Sequence, residues 1–231
     1  MNPIQQLHAL GQSVWLDYIR KDLLESGELA KLISEGEVRG VTSNPTIFQQ
    51  AIGNSSLYDE AARPLAQAGW SDERIFEVLA VDDIRAATEL FLPLYERTAG
   101  ADGFVSIEVS PRLAYDSQGT VVEARRLWSE VNRPNVMIKI PATEPGLPAI
   151  EQAIAEGINV NVTLVFSLKR YTQVMQAYLQ GLERRFEAGN SLDHVASVAS
   201  FFVSRVDTLI DGRLEQILRD EGPKAGRAAS S

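Results

Sequence analysis

The chain has 231 residues, 45% of them hydrophobic, which is enough to bury the core of one domain or of two small ones. Its formal net charge of -9 argues against nucleic acid as a partner, because phosphate contacts require clustered Lys and Arg. It has no cysteine, which excludes disulfides, thiolate metal sites and cysteine nucleophiles, and fits a reducing compartment such as the cytoplasm.

Short apolar runs alternate with helical patterns along the whole chain. Six strand candidates lie within residues 14–16, 38–41, 104–109, 136–140, 158–166 and 195–203. Apolar residues recur at helical spacing within 28–34, 72–98, 120–131, 147–156 and 168–187. This repeated βα order predicts an α/β fold with a parallel sheet, forming one domain over residues 1–231. No window approaches the roughly 18 apolar residues of a membrane span, so we expect no membrane partner.

Local signals support the helix boundaries. Ser71 is a capping candidate for the helix that follows it, and Gly157 and Gly189 stand where two helices should end. On the helix predicted over 168–187, the residues expected in the core are Val174, Tyr178, Leu182 and Phe186. Glycine motifs for dinucleotides or for a P-loop are missing from the sequence, which disfavours a Rossmann domain.

Lys139 carries the strongest functional signal. It is a cation inside the apolar run 136–140, which Pro134 and Pro141 bound, and this run is typical of a buried parallel strand. Burial disfavours the ammonium form, and a neutral amine can attack a carbonyl carbon to form a Schiff base. Alternatively, Lys139 extends its ammonium to solvent or to a carboxylate, as lysines near strand ends commonly do.

Every strand candidate ends in a polar residue. The carboxyl ends of parallel strands share one face, and in a (β/α)8 barrel that face holds the active site. A turn or cap role explains any one of these residues, but it explains Asp17, Glu108 and Lys139 together poorly. The full set is Asp17, Asn44, Glu108, Lys139, Asn161, Thr163 and Ser200.

These residue types suit aldolase-type chemistry. A neutral Lys139 attacks a ketone, and Glu108 or Thr163 supplies a proton donor or holds the water that leaves. Asp17 is a suitable base for the hydroxyl proton that must be removed when the neighbouring carbon–carbon bond breaks. The side chains able to hydrogen-bond the hydroxyls of a small polyol are Asn44, Asn161 and Ser200.

Arg205 follows Ser200 by five residues, at the junction of a predicted strand and a helix. A guanidinium beside a helix N-terminus can bind phosphate through forked hydrogen bonds and free backbone amides. The alternative is a surface arginine in a salt bridge.

As a group, the segments resemble the transaldolase family, the Schiff-base enzymes of the non-oxidative pentose phosphate pathway. The Thr-Ser-Asn-Pro turn at 42–45 and the Ile-Lys-Ile-Pro-Ala-Thr stretch at 138–143 are specific in combination. The resemblance extends from about residue 13 to residue 215, and its motifs occur in the family's order. The other matching stretches are 14–17, 105–109, 159–167 and 196–207.

The resemblance implies a (β/α)8 TIM barrel that uses no metal and no organic cofactor. Its partners are phosphorylated sugars: Lys139 forms the Schiff base with sedoheptulose 7-phosphate or fructose 6-phosphate. A dihydroxyacetone unit then passes to glyceraldehyde 3-phosphate or erythrose 4-phosphate.

The resemblance also implies a role for each matching residue. Asp17 is the acid/base for bond cleavage, and Glu108 and Thr163 hold the catalytic water. The remaining roles are dihydroxyacetone binding by Asn44, Asn161 and Ser200, pocket lining by Phe202 and phosphate binding by Arg205.

The chain departs from the family pattern near its end. Six strands can be counted before the segment 222–231, whereas the family barrel continues into strands seven and eight. We therefore expect an incomplete barrel, as a fragment, a truncated gene product or a half completed by another chain. A non-catalytic phosphosugar-binding fragment and an aldolase that uses free dihydroxyacetone stay open as alternatives. Whether the chain forms a homo-oligomer is also open.

Overall fold

The computed structural model describes residues 2–221, and the segment 222–231 lies outside the described residues. Six parallel strands form one sheet in which spatial order follows chain order. The strands are β1 (Trp15–Leu16), β2 (Gly40–Val41), β3 (Phe104–Glu108), β4 (Val136–Pro141), β5 (Val160–Val165) and β6 (Ser197–Phe201). The sheet curls into a half-barrel, which confirms the predicted fold class with about six βα units in the described chain.

Ten α-helices occur between residues 2 and 221. They are α1 (Pro3–Ala9), α2 (Lys21–Glu25), α3 (Glu28–Ser34), α4 (Pro45–Gly53), α5 (Asp59–Gln67), α6 (Asp72–Arg97), α7 (Ser117–Val131), α8 (Gly146–Ala155), α9 (Leu168–Glu187) and α10 (Val203–Glu221). All five predicted helices are confirmed within three residues at each end. None of the ten described helices is both long enough and apolar enough to cross a membrane.

The alternation of side chains along β4 places Lys139 inside the curl of the sheet. Val136, Ile138 and Ile140 pack in the main core, together with apolar residues of the surrounding helices. Met137 belongs to a separate cluster that includes Phe104. Because side chains alternate with a period of two along a strand, Lys139 lies on the same face of β4 as Met137.

The predicted helix boundaries hold. The Ser71 side chain accepts a hydrogen bond from the Arg74 backbone N–H at 3.3 Å and so caps α6. Gly157 and Gly189 follow α8 and α9 with φ of 85° and 75°, a left-handed conformation that favours glycine.

The core prediction for α9 is wrong at one position. Val174 is buried, and Tyr178 and Leu182 pack against the core, but Phe186 is 70% exposed. Helical spacing identifies apolar positions without showing whether another element covers them, and no described element covers Phe186.

Asn135 fixes the start of β3 beside the start of β4. Its side-chain amide donates hydrogen bonds to the carbonyls of Thr88 at 3.0 Å and Gly103 at 2.8 Å, and the whole residue is buried. Its own carbonyl accepts from the Val105 N–H at 3.0 Å. These bonds join α6, β3 and β4 in the register that brings Glu108 opposite Lys139.

We expect Asn135→Ala to lower the free energy of unfolding by about 2–4 kcal/mol, because two buried carbonyls lose their donor. Urea denaturation measures the change, with the exposed Asn190→Ala as a matched control that stays within about 0.5 kcal/mol of the parent. Equal stability of Asn135→Ala and the parent chain would contradict this account of the register.

Candidate active site

Three neighbouring strands bring the central residues of the site together. In the register of the sheet, Glu108 of β3 stands opposite Lys139, and Lys139 stands opposite Asn161 of β5. Residues paired across parallel strands point to the same face, at a strand spacing of about 4.8 Å. The side chains of Glu108, Lys139 and Asn161 therefore form a row across the interior of the curl.

Lys139 is buried, with 6% of its surface exposed. Its Nζ donates a hydrogen bond to the Ser43 carbonyl at 3.1 Å and lies 3.6 Å from Oε2 of Glu108. Of the alternatives for this lysine, extension to solvent is wrong, and extension to a carboxylate is correct. That carboxylate belongs to the same proposed site, so the pairing is compatible with a role in chemistry.

Burial raises the pKa of Glu108 above that of an ordinary glutamate, and the negative charge of Asp17 adds to the effect. Lys139 acts in the opposite direction, because its positive charge and its hydrogen bond stabilise the carboxylate. Glu108 therefore retains its proton to higher pH than an exposed glutamate does. Such a group can donate a proton in a reaction near neutral pH.

A chain of hydrogen bonds fixes the side chain of Asn161. Its amide nitrogen donates to Ser106 Oγ at 3.0 Å, and its amide oxygen accepts from Ser200 Oγ at 3.0 Å. Ser43 Oγ in turn donates to the Ser106 carbonyl at 2.7 Å. The chain thus connects residues on or just after β2, β3, β5 and β6.

Ser106 and the Ser43 carbonyl are site groups that the sequence analysis missed. Ser106 precedes Glu108 by two residues, so strand periodicity alone could have placed it on the interior face. The contact between Ser43 and Lys139 had no signal in the sequence, because it joins the end of β2 to β4 across the curl.

Thr163 and Asn44 lie at two other strand ends of the site. Thr163 is buried on β5 opposite Pro141 and is followed by Leu164, whose φ of 62° accompanies an irregularity in the pairing with β6. Asn44 is the N-cap of α4, and its side-chain oxygen accepts from the Ile47 N–H at 3.0 Å. The cap uses the oxygen of Asn44 and leaves its amide hydrogens available to a ligand.

Asp17 directly follows β1 and is exposed. Within residues 2–221 its carboxylate has no hydrogen bond and no ion pair, but it is close enough to influence the pKa of Glu108. The position of Asp17 therefore depends on the backbone segment that carries it.

Phe202 and Arg205 form a stack beside α10. The Phe202 ring lies 5.1 Å from that of Phe166, with 16° between the planes, and the Arg205 guanidinium lies 4.4 Å from the centre of the Phe202 ring. Among the described residues no carboxylate pairs with Arg205, so the salt-bridged alternative for Arg205 is wrong within this part of the chain. Its charge is available to an anion, as in other cation–π pairs at exposed sites.

A cavity of about 650 Å³ adjoins the site at the ends of β2 and β3. It shares Ser43, Asn44 and Glu108 with the site, but Lys139 does not line it. Its other lining residues include Phe48, Phe76 and Leu127. The cavity therefore lies to one side of the Lys139 amine.

We expect Lys139→Met to raise the pKa of Glu108 further, because the stabilising charge is removed while burial remains. Carbon-detected NMR of the Glu108 carboxyl measures this pKa, and the exposed Lys169→Met is the matched control that leaves it unchanged. An unchanged or lowered pKa in Lys139→Met would contradict the pairing.

The same variant should change how stability depends on pH. A carboxyl whose pKa is raised by folding contributes most stability at low pH, and this is lost as pH rises through the folded pKa. As pH rises above the ordinary glutamate pKa of 4.5, Lys139→Met should therefore lose more stability than the parent, by about 1.4 kcal/mol for each unit by which its Glu108 pKa exceeds the parent's.

The matching family model and three similar proteins all point to one family. Residues 14–230 match the family model described as "Transaldolase/Fructose-6-phosphate aldolase". The chain is 55% identical to a transaldolase of Thermobifida fusca, over 95% of this chain and 60% of that protein. It is 53% identical to a transaldolase of Acidothermus cellulolyticus (94% and 58%) and 48% identical to transaldolase 2 of Nostoc sp. (93% and 56%). The chain thus spans 56–60% of the length of these relatives.

Proposed function

The chain belongs to the transaldolase/fructose-6-phosphate aldolase family, and on that premise we propose that it transfers a dihydroxyacetone unit between phosphorylated sugars. The donor is sedoheptulose 7-phosphate or fructose 6-phosphate, and the acceptor is glyceraldehyde 3-phosphate or erythrose 4-phosphate. One observation supports this most directly: a buried lysine amine lies 3.6 Å from a partly buried glutamate, at the carboxyl ends of parallel strands. The sugar identities rest on the resemblance of the motifs to the family.

In the first step, the Lys139 amine attacks the ketone carbon of the donor and forms a carbinolamine. Loss of water gives the iminium ion, and this loss requires a proton on the departing hydroxyl. Glu108 is the proposed donor, supported by its raised pKa and its distance from Nζ. The hydroxyl of Thr163, which is buried at the end of β5, is proposed to hold the released water.

In the second step, Asp17 removes the proton of the hydroxyl on the carbon β to the imine. The bond between the α and β carbons breaks, and its electron pair moves to the iminium nitrogen to give an enamine. The shortened aldose phosphate leaves as the aldehyde. Reversal of these events on the acceptor aldehyde, followed by hydrolysis of the imine, completes the transfer and restores Lys139. The iminium is the electron sink, so the proposal requires no metal and no organic cofactor.

The remaining residues are proposed to hold the substrate. The network of Ser106, Asn161 and Ser200 presents fixed polar groups to the dihydroxyacetone hydroxyls, and Asn44 adds its free amide hydrogens. Phe202 is proposed to line the pocket, and Arg205 is proposed to bind the phosphate. Support for Arg205 comes from its lack of a carboxylate partner within residues 2–221 and its place in the first turn of α10.

The proposed partners and location agree with this chemistry. Phosphorylated sugars are the proposed partners, and we propose neither a nucleic acid nor a membrane partner. The absence of cysteine supports a reducing compartment, and the cytoplasm is the proposed location.

A second candidate is an aldolase that releases free dihydroxyacetone. The description of the matching family model, which names fructose-6-phosphate aldolase beside transaldolase, favours it. Both activities use the same Schiff-base chemistry and differ in the acceptor of the enamine: an aldehyde in the first, a proton in the second. Product analysis with and without an acceptor aldehyde separates them.

The test is transfer from fructose 6-phosphate to erythrose 4-phosphate, followed through the glyceraldehyde 3-phosphate formed. We expect Lys139→Ala to abolish turnover, with the exposed Lys169→Ala as the matched control that retains it. Asp17→Asn should still form the imine but lower kcat by about 10²- to 10⁴-fold, the usual contribution of a general base.

Three outcomes would change the proposal. Full activity of Lys139→Ala removes the mechanism. Free dihydroxyacetone without an acceptor selects the aldolase. A folded parent chain without turnover favours a non-catalytic, phosphosugar-binding role.

A further inference from the structure

The segment 17–21 runs from the end of β1 to Lys21, the first residue of α2, and carries Asp17 at its first position. The Asp17 side chain has no bonding partner among the described residues, so its direction is set by this backbone. Ile19 anchors the middle of the segment, since it is fully buried in the core. The other end of the segment is held by hydrogen bonds.

A buried chain of hydrogen bonds holds the end of the segment at Lys21. The Lys21 backbone N–H donates to Tyr58 Oη at 2.9 Å, and Tyr58 Oη donates to Oδ2 of Asp83 at 2.6 Å. Tyr58 is 2% exposed and Asp83 is 6% exposed. The Lys21 side chain adds a hydrogen bond from Nζ to the Leu57 carbonyl at 3.2 Å. The chain thus ties the β1–α2 segment to α6.

The direction of each hydrogen bond depends on the charge of Asp83. A tyrosine hydroxyl has one proton, and when that proton goes to a carboxylate, a lone pair is free to accept the Lys21 N–H. A neutral Asp83 can instead donate its own proton to Tyr58. The tyrosine proton would then turn away from Asp83 and compete with the Lys21 N–H. The ionised form of Asp83 therefore permits only the observed direction, whereas the neutral form permits both.

Burying a carboxylate does not by itself stabilise a folded protein. Removing a carboxylate from water costs several kcal/mol, and well-packed apolar replacements of buried charges are often as stable or more so. We propose that Tyr58 and Asp83 are positioning residues, which hold the segment 17–21 so that Asp17 faces Glu108 and the bound sugar. The catalytic consequence rests on the proposed function, whereas the holding of the segment does not.

Asp83 also makes this positioning sensitive to pH. Burial raises the pKa of Asp83 to about 6, while the Tyr58 hydroxyl and the charge of Lys21 lower it, and Asp82 and Glu25 raise it. The carboxylate form, which enforces this hydrogen-bond direction, prevails above about pH 6 and is lost as pH falls through that value. Its contribution to folding stability runs the other way, because a pKa raised by folding favours the folded state at low pH. Positioning and stability therefore change in opposite directions.

The first experiment measures how firmly the end of the segment 17–21 is held. In Tyr58→Phe, we expect the Lys21 amide to exchange with deuterium about tenfold faster at pH 8, because it loses its acceptor. The matched control is Tyr115→Phe, whose ring is 83% exposed, and it should leave this rate unchanged. Unchanged exchange in a folded Tyr58→Phe would overturn the proposal. If that variant does not fold, Asp83→Asn is measured instead, because asparagine no longer fixes the direction of the Tyr58 proton, and a smaller acceleration of Lys21 exchange is expected.

The second experiment measures the catalytic consequence. At pH 8, Asp83→Asn should lower kcat about tenfold, with KM and borohydride trapping of Lys139 within about twofold of the parent, because only the Asp17 step is affected. Its thermal midpoint should be equal to or above the parent's at pH 8, a result that a merely structural role would not give. As pH drops through about 6, the kcat of the parent should fall by more than the kcat of Asp83→Asn does. The matched control, Asp82→Asn, removes the exposed neighbouring carboxylate and should retain the parent's kcat.

The outcomes separate the two proposals. If the parent chain turns over and Asp83→Asn matches it in kcat and in pH profile, the positioning role is wrong. If the parent chain does not turn over, the proposed function fails, and the exchange rate of the Lys21 amide still decides whether Tyr58 and Asp83 hold the segment.

Discussion

A lysine buried beside a glutamate is the interaction on which the rest of this structure depends. Removing both charges from water costs several kcal/mol per ion, and their attraction at 3.6 Å repays this only in part. The structure tolerates the pair because Lys139 also bonds to the Ser43 carbonyl. Burial raises the pKa of Glu108 and the neighbouring Lys139 lowers it, and carboxyls with such a perturbed pKa are typical of sites that transfer protons.

The fold supplies this pair through strand geometry. β4 is buried on both faces: Val136, Ile138 and Ile140 pack in the main core with the helices, and Lys139 shares the interior face with Met137. The register then sets Glu108 and Asn161 on either side of it. The network through Ser106 and Ser200 makes the neighbouring polar groups rigid, which is what preorganised binding of a small polyol requires.

Much of this arrangement could be predicted from the sequence. The six strands and the long helices have clear periodicity, and the convergence of Glu108, Lys139 and Asn161 follows from the geometry of a parallel sheet. Short helices such as α2, with five residues, have too few turns to show a period, and α5 contains Pro64. The contacts of Ser43 with Lys139 and of Tyr58 with Asp83 join distant segments, so no local pattern indicates them. Exposure of Phe186 depends on what covers α9, which spacing does not encode.

The central claim is that the Lys139 amine forms a Schiff base with a ketose phosphate. The direct test is incubation of the chain with fructose 6-phosphate and borohydride, followed by digestion and mass spectrometry of the peptides. A reduced sugar adduct is expected on Lys139 and on no other lysine. A folded chain that gives no adduct, or an adduct on an exposed residue such as Lys169 instead, would contradict the claim.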